Sequence, residues 1–284
     1  MKNKKTTVLW IFIYVWLVVL LVAVLFPLVY TIAASFKTNS EIMAHPERIF
    51  PENPTFDNYI QAWDSKNFNL KSMLFNSTVF TVVSVCITLF TSSLCGYVFA
   101  RGRFPGKKIV FAVFSALMFV SLGSITMYPY FELLEFLHIE KSLYSLLFIR
   151  LFAIPTANIY LIRGFINTLP KELDEAATID GCGFVRIFVY ILFPLLKPIL
   201  AVIGLMAFQG SWNEYLMPMI FTMTKPEQKT LITGVVALKS SAQAAAAWNL
   251  MLAGSTISLI PVLVAYAFGS KYFVQGITDG AVKG

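Results

Sequence analysis

Long apolar runs constrain this chain more than any other feature of its sequence. An α-helix needs about 20 consecutive apolar residues to cross the hydrocarbon core of a bilayer. Six segments reach that length with few or no charges: residues 8–36, 72–100, 109–131, 142–162, 195–222 and 249–270. Only 13% of the residues are charged, so a soluble protein would lack the polar sequence to cover six such helices. The sequence therefore predicts an all-α integral membrane protein with six transmembrane helices.

The distribution of Lys and Arg predicts how these helices thread. Residues 101–108, which join the second and third predicted spans, contain four basic residues and no acid. Because basic residues accumulate in short cytoplasmic loops, we expect a multi-pass protein of the cytoplasmic (inner) membrane with both termini in the cytoplasm. Residues 1–7 then form the cytoplasmic N-terminus, the first span is retained and not cleaved as a signal peptide, and residues 37–71 form an extracytoplasmic loop. The net charge of +7 needs no nucleic-acid partner.

The connection between the fourth and fifth predicted spans is the most informative part of the chain. Thr168 is placed to cap a short helix, and acidic residues follow where they would lie near its positive end. Gly181 and Gly183 would end that helix, and a second amphipathic segment leads to Pro194. The adjacent small residues Ala176 and Ala177 would leave a shallow surface that a partner could approach closely. The alternative is an ordinary amphipathic linker that lies on the membrane.

The same connection resembles a family signature. Glu175-Ala-Ala, three residues, Gly181, nine residues and Ile191-Leu-Phe-Pro194 is similar to the EAA signature of ABC importer permeases, with Phe193 where Leu is usual. The resemblance implies the type I ABC importer permease fold, a permease core over residues 72–284 with a cytoplasmic tail, and cytoplasmic coupling helices at residues 163–193. The ATPase-coupling residues that it implies are Glu175, Ala176, Ala177, Asp180, Gly181 and Pro194.

Other landmarks are similar to the carbohydrate branch of that family, and in particular to the second permease of maltose-type importers. They are Asn58-Tyr59, Asn76-Ser77, residues 100–107, Trp212-Asn-Glu214 and the tail 276–284. The resemblance implies a sugar or oligosaccharide as cargo. The partners that it implies are a second homologous permease in a heterodimer, two ATP-binding subunits, an extracytoplasmic sugar-binding protein and membrane lipid.

The stretch from Leu238 to Ala247 is similar in position to the family's loop between the fifth and sixth helices. By that resemblance it would probe the sugar cleft of the binding protein, with Gln243 and Ala244 as candidate contact residues. The other interpretation is a helical extension of the sixth span.

The chain lacks the residues to hydrolyse ATP by itself. The segment Gly102 to Lys108 has one residue too few between its glycines for a phosphate-binding loop, and it lacks the hydroxyl residue. His45 and His138 have no second group that suggests a metal site. We therefore predict a non-catalytic subunit, without cofactor or metal, that depends on a separate ATPase. The alternative is a stand-alone secondary transporter or channel, which should show inverted repeats or paired intramembrane acids; the sequence shows neither.

Arg150 and Glu214 are the notable charges within the predicted spans, where a charge costs several kcal/mol unless it faces an interior or reaches the surface. Arg150 has no acid at helical spacing, so its partner must come from another helix, another subunit, a cavity or the membrane surface. It either makes a structural contact or lines the transport pathway. Glu214 either belongs to a turn near the outer membrane surface or lines the pathway as well.

Overall fold

A computed structural model describes residues 4–65, 68–120, 123–240 and 247–281. Within these ranges every regular element is helical and no strand occurs, so the predicted all-α class is confirmed. The α-helices are, in chain order, α1 (Lys4–Ala34), α2 (Asn39–Ala44), α3 (Asp57–Trp63), α4 (Leu70–Arg101), α5 (Lys107–Leu117), α6 (Met127–Phe136), α7 (Leu143–Phe152), α8 (Thr156–Thr168), α9 (Glu172–Ile179), α10 (Phe184–Ile187), α11 (Phe193–Leu195), α12 (Lys197–Trp212), α13 (Leu216–Phe221), α14 (Leu231–Ser240) and α15 (Trp248–Ala281).

In the described part of the chain, three helices are long enough and apolar enough to cross a membrane. Their candidate spans are Leu9–Ala34, Leu70–Arg101 and Trp248–Gly269, which overlap the first, second and sixth predicted runs. The apolar window of α1 has no residue buried inside the chain. Its side chains therefore need lipid or a partner protein around them.

The third predicted run, residues 109–131, is not one continuous helix in the described part of the chain. α5 ends at Leu117, and α6 begins at Met127 after a 3-10 turn over Gly123–Thr126. Pro129 supplies a physical reason, because it has no N–H to donate to the carbonyl four residues earlier. It fits the first turn of a new helix but would break the interior of a continuous one.

The fourth predicted run is bent, and a second bend lies at the start of the fifth. α7 and α8 meet at 45° across a break before Thr156, and the helical stretch Phe184–Leu195 meets α12 at 78°. Pro155 accounts for the first break, since the residue before a proline disfavours the helical conformation. Each pair is apolar enough to count as one broken span. α12 stops at Trp212, and α13 resumes only at Leu216, so the fifth run is interrupted as well.

The chain divides into two compact units. One comprises Met1–Lys71 and Leu231–Ile260, and the other comprises Ser72–Thr230 and Pro261–Gly284.

A buried amide organises the first unit. The side-chain nitrogen of Asn58 donates hydrogen bonds to the carbonyl oxygens of Ser35 (2.7 Å) and Lys37 (2.8 Å). Its side-chain oxygen accepts from Asn249 on α15 at 2.9 Å. Because a buried amide must satisfy its donors and acceptor, Asn58 fixes the chain that follows α1 against the start of α15.

The second unit is built on α4. A Cβ added at Gly96 would lie only 2.6 Å from the Ile162 side chain, so the absence of a side chain there lets α4 and α8 pack closely. Nearer its other end, Asn76 donates to the carbonyl oxygens of Glu227 (2.8 Å) and Lys229 (3.1 Å). These contacts hold α4 at both ends within the unit.

Candidate functional site

The EAA-like sequence forms two short helical pieces joined by a tight turn, and we refer to residues 169–196 as the α9–α10 segment. α9 has three acids in its first turn, Glu172, Asp174 and Glu175, where the helix dipole favours negative charge. The prediction that Thr168 caps this helix is wrong. Thr168 is the last residue of α8, and its hydroxyl donates to the Phe165 carbonyl oxygen of its own helix at 2.7 Å.

The turn after α9 is a Schellman motif centred on Gly181. The Gly181 N–H donates to the Thr178 carbonyl (3.0 Å), and the Cys182 N–H donates to the Ala177 carbonyl (2.9 Å). Gly181 has φ of +77°, in the left-handed region that favours glycine. Gly183, two residues later, has an ordinary extended conformation with φ of −77°. The turn therefore requires glycine at position 181 but not at 183.

The second half of the segment ends in a bend that Pro194 helps to produce. α10 continues into a π-helical turn over Phe188–Leu192, and α11 follows before the 78° change of direction into α12. Pro194 cannot donate a backbone hydrogen bond, which is a common cause of irregular turns and kinks in helices. The side chain of Pro194 is exposed.

The two alanines of the motif differ in burial. Ala177 is buried among apolar side chains of the same chain, including Ile187 and Leu192, whereas Ala176 is exposed. Glu175, Asp180 and Gly181 are exposed too. Only Ala176, and not Ala177, therefore offers a small side chain to a partner.

The C-terminal end of α4 also touches the α9–α10 segment, which the sequence did not indicate. Arg101 lies beside Asp174, and the Tyr97 hydroxyl donates to the Phe184 carbonyl at 3.0 Å. Next to them, Lys107 donates to the carbonyls of Ala100 (3.2 Å) and Gly102 (2.9 Å). Burial, together with the nearby Arg163 guanidinium, lowers the pKa of Lys107. From the sequence alone, we interpreted Arg101 and Lys107 only as loop charges that predict the orientation of the chain in the membrane.

Arg150 and Glu214, both within predicted spans, form an ion pair. Arg150 lies near the end of α7, just before the break, and Glu214 lies in the break between α12 and α13. Arg150 also donates to the Ser211 hydroxyl at 2.9 Å, and its guanidinium carbon stands 4.8 Å from the centre of the Phe80 ring. Both charged side chains are about three-quarters buried, with 24% and 22% exposed.

The ion pair lines a cavity of about 280 Å³ within the second unit. Polar side chains of α4 and α6, among them Thr88, Thr91 and Tyr130, face the same space. The cavity thus combines hydroxyl groups, an aromatic ring, and a paired cation and anion. Such a mixture can hydrogen-bond a polar, uncharged molecule on several sides.

Gln243 and Ala244, the candidate contacts to a binding protein, lie outside the described residues.

Comparison with protein families gives one match that covers nearly the whole chain. Residues 6–277 match the family described as "Binding-protein-dependent transport system inner membrane component".

Several proteins with similar sequences are named as transport permeases. The chain is 32% identical over 262 residues to the arabinooligosaccharides transport system permease protein AraQ of Bacillus subtilis, covering 92% of this chain and 91% of AraQ. It is 30% identical over 275 residues to the galactooligosaccharides transport system permease protein GanQ of the same organism, covering 96% and 95%. It is 29% identical over 279 residues to the probable ABC transporter permease protein YurM, also of B. subtilis, covering 98% and 89%.

A solved structure shares the fold. It is a chain of a bacterial ABC transporter involved in the import of the acidic polysaccharide alginate, with a TM-score of 0.80 and 24% sequence identity over 96% of this chain and 99% of that chain. This likeness confirms the expected type I ABC importer permease fold family.

Proposed function

The chain belongs to the family of binding-protein-dependent transport system inner membrane components, and we propose on that basis that it is a permease subunit of an ATP-driven importer for a neutral oligosaccharide. The relatives AraQ and GanQ carry the names of oligosaccharide transport systems. The proposed complex contains a second homologous permease, two ATP-binding subunits and an extracytoplasmic sugar-binding protein. The chain itself does not hydrolyse ATP in this proposal.

The exposed face of α9 is the observation that carries the coupling part of this proposal. Ile179 is 87% exposed and stands beside the exposed acids Glu175 and Asp180. Lipid would solvate an exposed isoleucine but not the neighbouring carboxylates, and water would solvate the carboxylates but not the isoleucine. A protein partner with a mixed surface suits both, and we propose that this partner is an ATP-binding subunit.

The Arg150–Glu214 cavity supports the proposed cargo. A lone guanidinium would attract a carboxylate-bearing sugar, but in this chain Glu214 already offsets its charge. The pair presents donors and acceptors with little net charge, which suits the hydroxyl groups of a neutral sugar. We therefore propose that Arg150 and Glu214 line the transport pathway and that the cargo is uncharged.

We further propose that the chain crosses the membrane six times with both termini in the cytoplasm. Three passes are the long helices, one is the bent α7–α8 pair, and one runs along α12 after the second bend. The remaining pass would be formed by α5 and α6 with the residues between them. Gln243 and Ala244 would then approach the binding protein from outside the cell.

An uptake assay tests the proposed function. The assay uses a panel of radiolabelled neutral oligosaccharides built from pentoses or hexoses. Deletion of this subunit should abolish uptake of one of them, and expression of the intact chain should restore that uptake. Because ATP drives the transport, uptake should persist when an ionophore collapses the proton gradient and stop when cellular ATP is depleted. Uptake that follows the proton gradient instead would favour a secondary transporter.

Thiol labelling tests the proposed orientation. In a background without the native cysteines, cysteine at Lys171 should be shielded from an impermeant reagent added to whole cells, whereas cysteine at Asp64 should react. The two positions are a matched pair because both are exposed in the structure. The reverse labelling pattern would contradict the orientation that the basic residues predict.

A further inference from the structure

The C-terminal end of α4 carries two side chains that hold both halves of the α9–α10 segment. Tyr97 and Arg101 are four residues apart, so they lie on the same face of the helix. The Tyr97 residue is 1% exposed, and the Arg101 side chain is 10% exposed. Both are therefore fixed by packing.

Arg101 connects the end of α8 to the start of α9. Its Nη2 donates to the carbonyl oxygen of Leu169 at 3.0 Å, and its Nε lies 2.5 Å from a carboxylate oxygen of Asp174. The Nε contact is an ion pair and not an aligned hydrogen bond. Both carboxylate oxygens of Asp174 are buried and, within the described chain, have no hydrogen-bond partner. A buried carboxylate needs a compensating charge, and Arg101 supplies it.

Tyr97 holds the second half of the segment. Its hydroxyl donates to the Phe184 carbonyl at the start of α10 (3.0 Å), and its ring stacks on the rings of Phe184 (4.3 Å) and Phe188 (5.0 Å). The contact thus combines one part-buried hydrogen bond with two aromatic pairs.

We propose that Tyr97 and Arg101 form a two-point clamp that positions the α9–α10 segment on α4. Without it, the two helical pieces could pivot about the Gly181 turn, and a movement of α9 would be absorbed locally. With it, α9 and α10 move together with the end of α4, which is a single helix of 32 residues. This inference rests on the proposed function, because it assumes that an ATP-binding subunit moves α9. Tyr97 and Arg101 are positioning residues that act through the segment.

Spin labelling measures the clamp both with and without the ATPase. A nitroxide on cysteine at Ile179, in the chain lacking Cys86, Cys95 and Cys182, reports the mobility of α9 in the complex and in permease separated from its ATPase. Arg101→Gln should shift the equilibrium towards mobile α9 by roughly tenfold, as expected for loss of a hydrogen-bonded charged group. Arg101→Gln combined with Asp174→Asn should shift it no further than the single change, because both remove the same ion pair.

A second label tests the other half of the clamp. With a nitroxide on cysteine at Val185, which is 72% exposed, Tyr97→Phe should increase the mobility of α10 by about fivefold, the contribution of one neutral hydrogen bond. Arg103→Gln and Tyr190→Phe change exposed residues of the same region and serve as matched controls. Neither control should change the mobility of either label.

The coupling of transport to ATP hydrolysis gives the functional outcome. In proteoliposomes containing the whole complex, Tyr97→Phe and the double variant should retain the ATP-binding subunits but hydrolyse several times more ATP per sugar imported. Unchanged label mobility or an unchanged ratio in both variants overturns the clamp. If Gly181→Val uncouples transport and the clamp variants do not, only the clamp fails. If none of these variants affects coupling, the docking role of the segment fails as well.

Discussion

Replacement of Gly181 by valine is expected to abolish uptake while the protein still inserts in the membrane. At φ of +77° an L-residue is strained, and a β-branched one most of all. No atom beyond the glycine itself and its two chain neighbours lies within 4 Å of the position that a Cβ would occupy, so the expected effect comes from the backbone and not from a clash. A strain of about 2 kcal/mol favours a rearranged turn by a factor of roughly 30. Uptake rate and the amount of co-purified ATPase are the measurements.

Gly183→Val is the matched control for this prediction. The same side chain is placed two residues away, in open space and in an extended backbone that any residue adopts. Uptake should be retained in this variant, and Gly181→Asn should fall between the two because asparagine tolerates the left-handed conformation. Equal uptake in Gly181→Val and Gly183→Val would show that the turn is not part of the coupling.

Glu175→Lys reverses an exposed charge on α9. This variant should also release the ATPase.

Loss of the Arg150–Glu214 pair is expected to have the other large effect. Arg150→Gln leaves Glu214 without its cation in a largely buried site, which should destabilise the fold by about 3 kcal/mol. The double variant Arg150→Gln, Glu214→Gln leaves no unpaired charge, so expression and assembly should recover. If the pair lines the pathway, uptake remains low in the double variant. Protein yield, complex assembly and initial uptake rate separate the two effects.

The Lys225–Glu140 pair provides the control for these variants. It is an ion pair of the same unit, but the Glu140 side chain is 85% exposed. Exposed pairs contribute little to stability, so Lys225→Gln should change neither assembly nor uptake. Full uptake in the assembled double variant at Arg150 and Glu214 would assign that pair to structure alone.

Apolar length and charge were sufficient to predict the class of the fold. The runs at residues 8–36 and 72–100 contain no charge, and each corresponds to one long helix. The same criterion failed at residues 109–131, because apolar composition does not reveal a change of helix direction. Pro129 and Pro155 were the available signals, and both lie where the structure begins a new helix.

The tertiary partners of the site residues could not be predicted from local sequence. Arg150 has no acid at helical spacing, and only the fold brings it beside Glu214 from a break between two other helices. Arg101 was interpreted as a loop charge because nothing in its neighbourhood indicates Asp174. The EAA-like motif did predict the glycine turn at Gly181, since the φ requirement of a turn is a local property. The motif did not indicate that the Ala177 side chain packs in the apolar core of this chain.

Site-specific photo-crosslinking tests whether α9 contacts an ATP-binding subunit, as the proposed function requires. A benzophenone amino acid at Ile179, a residue of α9 that is 87% exposed, is illuminated in membranes that actively import the cargo. Tyr128 on α6 is the matched control, since it is exposed but remote in the proposed topology. We expect an adduct between this chain and an ATP-binding subunit from Ile179 and none from Tyr128. Import-competent membranes in which Ile179 gives no adduct with an ATP-binding protein would contradict it.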